Sequence, residues 1–153
     1  MNNFFGMIPS VLMIVSPILI TAVGGMICER SGVVNIALEG LMSIGAFAAA
    51  ATHVLLEGFF PGSIWVALLV GSLCGMLISV IHAFAAISLN ADQTVSGTGI
   101  NLLASGITVF FSQIIFRMDR TKPFQTGMMP GIFGIYPTAL IAIIVVLISW
   151  FVL

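Results

Sequence analysis

Apolar residues run through this chain in long blocks, separated by short polar clusters. A membrane-spanning helix needs about 20 mostly apolar residues. By that measure the blocks predict about five spans. They are Met7–Ile27, Val33–Leu56, Ile64–Leu89, Gln93–Phe116 and Tyr136–Leu153. The cluster Glu57–Ser63 holds Gly58, Pro61 and Gly62 and predicts a turn. Asn90–Gln93 interrupts the apolar pattern again, and Asp92 stands where it can cap the helix that follows. Arg117–Gly131 carries most of the remaining charge together with Pro123, Gly127, Pro130 and Gly131. It predicts a solvent-exposed loop or a short interfacial segment. The fold class expected is an all-α, polytopic membrane protein.

Finer patterns lie inside the blocks. Pro17 removes a backbone hydrogen bond from the first span and predicts a kink there. Ser10, Pro17, Thr21, Gly24 and Cys28 form a small, weakly polar stripe suited to close packing. In the third span Gly71 and Gly75 make a GxxxG motif, continued by Ser79 and Ala83. Small residues let helix backbones approach, so this face is read as helix packing. The fourth span places Thr94, Thr98, Asn101, Ser105, Thr108 and Ser112 at alternating steps of four and three. That is one polar stripe along a helix. Unpaired hydroxyls and amides are costly in lipid, so the stripe is expected to face other helices or a wet cavity.

Composition agrees with a lipid solvent. Hydrophobic residues make up 60% of the chain and charged residues 6%. A soluble domain carries roughly 25% charged residues. The net charge of -1 and the lack of any basic patch exclude nucleic acid as a partner. Cys28 and Cys74 lie on different spans and read as small apolar fillers. His53 and His82 have no metal-ligand spacing, and His82 reads as an interfacial or packed residue. No motif for hydrolysis, nucleotide binding or a cofactor is present. The first residues have no Lys or Arg and no small-residue cleavage site, which predicts a true first span.

The stretch Cys28–Met42 concentrates the polar chemistry. Glu29 and Arg30 abut the first span, where Arg30 can snorkel to an interface and Glu29 can mark a water boundary. Asn35 and Glu39 share a face four residues apart inside the second span. An intramembrane carboxylate is a functional candidate by default. Glu39 has the chemistry to bind a substrate hydroxyl, carry a proton or pair with Arg30. A structural hydrogen bond to a neighbouring helix end is the plainer reading. The segment Val33–Asn35 also admits a broken-helix start, a recurring way to build a membrane binding site.

Two stretches carry a resemblance. Glu29–Phe47, ERSGVVNIALEGLMSIGAF, resembles the signature region of permease subunits of bacterial nucleoside and simple-sugar ABC transporters. Ala91–Thr108, ADQTVSGTGINLLASGIT, is similar to a second segment of that family. The form with Glu29-Arg30-Ser31-Gly32 and Asp92-Gln93 is closer to the nucleoside type.

The resemblance implies a membrane subunit of an ATP-driven importer in the bacterial plasma membrane. It implies an ABC ATP-binding subunit that hydrolyses ATP, a second permease subunit and an extracytoplasmic substrate-binding lipoprotein. It implies no cofactor. It places Asn35, Glu39, Asn101 and Ser105 near the substrate path, and Glu29, Arg30, Asp92 and Gln93 at helix junctions. It also implies that residues 1–153 form the N-terminal part of a permease domain. The C-terminal half with its coupling helix is then absent, and the apolar ending at Leu153 reads as a truncation. Counting Lys and Arg puts the Arg117–Lys122 loop inside. The resemblance puts it, and the N-terminus, outside, and that orientation is the one expected. The rival readings are a non-transporting membrane scaffold or remnant, and a small proton- or ion-conducting oligomer built on Glu39.

Overall fold

The computed structural model describes residues 2–125 and 136–152. The second half of the expected Arg117–Gly131 loop, from residue 126 on, and Leu153 lie outside the described residues. Among the described residues the chain is all-helical. Its elements are α1 (Asn2–Arg30), α2 (Leu38–Leu56), α3 (Ser63–Ser88), α4 (Gln93–Phe116) and α5 (Pro137–Val152). The helices α1 to α4 are long and apolar enough to cross a membrane, and α5 is a shorter apolar helix of 16 residues. The all-α fold with about five helices agrees with the hydrophobic pattern.

The helices group into two compact units, one holding α1 and α5, the other α2, α3 and α4. In the first unit α1 keeps both Pro9 and Pro17 within one helix. The Thr21 hydroxyl donates to the Pro17 carbonyl at 2.8 Å, and Ser16 donates to the Leu12 carbonyl. These back-bonds satisfy hydroxyls inside an apolar helix. On α5 the buried residues are Ala139, Ala142 and Ser149, one small-residue face against α1. The end of α1 is built by its polar residues. Ser31 Oγ donates to the Cys28 carbonyl at 2.7 Å, and Gly32 N–H to the Glu29 carbonyl at 3.0 Å. Gly32 has φ +85, a left-handed value that a glycine adopts without steric cost, and it turns the chain out of the helix.

In the second unit α2 packs most extensively on α3, then on α4. The α2–α3 pair is antiparallel and very close. A Cβ on Gly71 would lie 2.6 Å from the Gly45 carbonyl oxygen and 2.7 Å from Ala49 Cβ. Gly75 is looser, with the Leu41 carbonyl 3.6 Å away. So Gly71 sets the crossing, and the alanine-rich stretch of α2 is the surface it crosses. Gly97 meets Ala37 and Asn101 meets Gly40, so α4 runs in the same direction as α2. His82 of α3, 2% exposed, ties the α3 end to the α4 start through Nδ1 and Ser96 Oγ, 3.0 Å apart.

One element starts later than its hydrophobic block. The second block begins at Val33, but α2 begins at Leu38. Residues 33–37 are not helical. Two local signals account for this. Gly32 leaves the chain in a left-handed turn, and the Asn35 side chain accepts from the Ala37 N–H at 3.0 Å, an Asx-type turn. Hydropathy counts these residues as membrane material; their backbone is irregular.

Candidate functional site

An irregular segment among apolar helices leaves backbone groups that must find partners. Here the Val34 N–H and the Ile36 carbonyl find partners on α4. That helix is itself well started. Asp92 Oδ1 accepts from the N–H groups of Thr94 and Val95, each at 2.9 Å. The next residue, Gln93, turns its Oε1 to the Val34 N–H at 2.8 Å. Two turns further on, Asn101 reaches the same segment with both ends of its amide. Nδ2 donates to the Ile36 carbonyl at 2.9 Å, and Oδ1 accepts from the Gly40 N–H at 2.7 Å.

The second of these bonds is a helix cap supplied by another helix. The first N–H groups of a helix have no partner within it. The residue before α2 is Ala37, which has no side chain able to cap it. Asn101 does so instead. Glycines make the approach possible. A Cβ on Gly40 would lie 2.8 Å from Asn101 Oδ1 and 3.0 Å from the Ile100 carbonyl oxygen. A Cβ on Gly97 would lie 3.0 Å from both the Ala37 nitrogen and Ile36 Cβ. Ala37, fully buried, sits beneath this contact.

Glu39 lies in the first turn of α2, directly beside the capped N–H of Gly40. Unlike Asn101 it is exposed within its unit, and its carboxylate makes no hydrogen bond or ion pair among the described residues. A negative group in the first turn of a helix is stabilised by the helix dipole. The arrangement therefore presents a carboxylate at a helix start whose backbone is already satisfied. Such a group can accept hydrogen bonds from a solute.

The other sequence candidates fall in different places. The exposed Ser105 donates to its own helix at the Leu102 carbonyl, 2.8 Å away. Along the same stripe Thr98 donates to the Thr94 carbonyl, and Thr108 to the Ala104 carbonyl at 2.9 Å. The stripe is not uniformly covered: Thr94, Thr98 and Ser105 are exposed, Asn101 and Thr108 half-buried and Ser112 buried. Back-bonding explains how exposed hydroxyls are tolerated. Glu29 and Arg30 close α1, where a cation such as Arg30 favours the helix C-terminus. Gly71 and Gly75 lie on the α2–α3 crossing, away from this junction.

Sequence reasoning did not single out Gly97. Its signal was available: a glycine inside a helix one turn before a polar residue, where a backbone comes close.

The chain is similar to known proteins. The guanosine ABC transporter permease protein NupQ of Bacillus subtilis is 43% identical over 95% of this chain and 51% of its own length. The nucleoside ABC transporter permease protein NupC of Lactococcus lactis is 38% identical over 78% of this chain and 38% of its own length. TsgC13 of Haloferax volcanii, provisionally named a glucose ABC transporter permease protein, is 34% identical over 69% and 31% respectively. The chain thus spans about half the length of the curated relatives it matches. No solved structure matches it significantly. The family model described as branched-chain amino acid transport system / permease component matches residues 7–153. With that match and four helices able to cross a bilayer, the chain is a multi-pass protein of the bacterial plasma membrane and belongs to this permease family.

Proposed function

We propose that this chain forms part of the membrane subunit of an ATP-driven importer of nucleosides. The observation that carries the reading is the exposed Glu39 carboxylate in the first turn of α2, a turn whose Gly40 N–H is capped by Asn101 from α4. A nucleoside offers ribose hydroxyls and base N–H groups. These need a few fixed acceptors in an otherwise apolar path. Glu39 and the exposed Thr94, Thr98 and Ser105 supply acceptors and hydroxyls of that kind. Asn101 spends both ends of its amide on the backbone and Asn35 its Oδ1, so we assign them to positioning.

ATP hydrolysis belongs to a separate ABC subunit. The path is completed by a second permease subunit, and an extracytoplasmic lipoprotein delivers the solute. Arg117–Lys122 lies on the outer side. The substrate class rests on the nucleoside names of NupQ and NupC, with simple sugars as the second reading because TsgC13 carries a sugar name.

Uptake of radiolabelled guanosine into proteoliposomes holding the complete transporter tests this. The expected result is ATP-dependent uptake, competed by unlabelled nucleosides and not by glucose. Uptake of glucose or leucine in place of nucleosides contradicts it.

A further inference from the structure

Charge stands unspent at the end of α4. The run Arg117–Lys122 holds three bases, Arg117, Arg120 and Lys122, against one acid, Asp119. All four are exposed. The Asp119 carboxylate accepts from Gln113 Nε2. Among the described residues none of the three basic side chains makes a hydrogen bond or an ion pair. Arg117 is the residue at which α4 stops, with a left-handed φ of 58. It therefore stands where a helix able to cross the bilayer leaves the hydrocarbon. Long cationic side chains reach the headgroup layer from such positions.

The face of α4 that leads to Arg117 is chemically graded. Phe110, Gln113, Ile114 and Arg117 are spaced so as to share one side of the helix. Together they line an open groove of about 500 Å³. Phe110 is 60% exposed and Ile114 58%, so the inner end of the groove is bare hydrocarbon. The Phe110 ring is braced edge-on by Phe111, with centroids 5.6 Å apart. The outer end is the Arg117 guanidinium. Seven helical steps separate Phe110 from Arg117, a rise of about 10 Å. Apolar surface, then an amide, then a cation is the order of an anionic phospholipid read from its acyl chain to its phosphate. A free anion has no use for Phe110 and Ile114, and an uncharged lipid has none for Arg117.

We propose that this groove holds an anionic phospholipid. Its phosphate sits on Arg117, and the upper part of an acyl chain lies along Ile114 and Phe110. A guanidinium takes a phosphate through two parallel hydrogen bonds. Arg120 and Lys122 outweigh Asp119 and attract the headgroup over a distance that salt shortens.

The complete permease, purified in detergent, is titrated with phosphatidylglycerol and separately with phosphatidylcholine. Native mass spectrometry reads the affinity for the first bound lipid. Neither substrate nor ATP enters, so the result does not depend on the transport reading. Phosphatidylglycerol binds at least fivefold tighter than phosphatidylcholine. Arg117→Gln, at an exposed side chain without a partner among the described residues, leaves the melting temperature at the parent value and brings the two lipids within twofold of each other. Asp119→Asn keeps an acceptor for Gln113, removes the acid and tightens phosphatidylglycerol. Glycerol phosphate, a headgroup without chains, does not displace the lipid at equal concentration. Parent affinity for phosphatidylglycerol in Arg117→Gln, or weaker binding in Asp119→Asn, overturns the lipid site. Displacement by glycerol phosphate overturns it in favour of a free anion. Equal affinity of the parent for the two lipids also overturns it and leaves the cations to an acidic protein partner.

Discussion

Asn101 and Glu39 divide the work of the α2 start between them. Asn101 has one donor and one acceptor facing a backbone that lacks both, and it matches them at 2.9 and 2.7 Å. Removing it leaves the Ile36 carbonyl and the Gly40 N–H without partners. Gly40 is buried, and a buried group left unsatisfied costs about 1–3 kcal/mol. Asn101→Ala is therefore expected to lower the stability of the purified permease by about 2 kcal/mol. Asn101→Asp, which keeps the acceptor, loses less. Thermal unfolding in detergent reads both, and equal stability of Asn101→Ala and the parent would show that the cap is idle. The polar stripe put Asn101 on a face by periodicity alone. It could not show that the amide is consumed by residues 61 and 65 positions earlier, because no local pattern encodes that distance.

At the scale of elements, glycines decide where helices touch. The GxxxG motif marks Gly71 and Gly75 alike in the sequence, yet the two differ in space. Gly71 has no room for a methyl group and Gly75 has ordinary contact distance. Overpacking a close helix crossing costs typically about 1–3 kcal/mol. Gly71→Ala is expected to destabilise by that amount, and Gly75→Ala to be nearly neutral. Gly99→Ala and Gly106→Ala, with nothing within 4 Å, serve as controls. They should hold or slightly raise the melting temperature, since Ala is the better helix former. A Gly71→Ala variant as stable as the Gly99→Ala control would mean the crossing is not set there.

The helices themselves were legible because an apolar block of about 20 residues has few other uses. The break at 33–37 was only half legible. Gly32 and Asn35 signal a turn, but hydropathy runs straight across them. Likewise the buried His53, its Ser63 partner and the Phe124 ring that meets it edge-on have no shared motif. His53 and Ser63 flank one turn, and Phe124 comes to them from about 70 residues further along the chain.

At the scale of the molecule, α2 is the organising helix of its unit. Its start is held by α4 through Asn101 and Gln93, and its end by the segment that follows α4. Its middle lies against α3 at the Gly45–Gly71 contact. A helix held at both ends can present a charged residue at a defined position inside a membrane, where such a residue is otherwise expensive. Glu39 is proposed to be that residue and to contact the solute.

The most direct measurement is nucleoside uptake by the complete transporter with Glu39→Ala, at parent protein levels in the membrane and with the melting temperature recorded. Uptake is expected to fall at least tenfold, with insertion and melting temperature unchanged because the carboxylate holds no partner among the described residues. Uptake equal to the parent, or a loss that follows a fall in melting temperature, would contradict it.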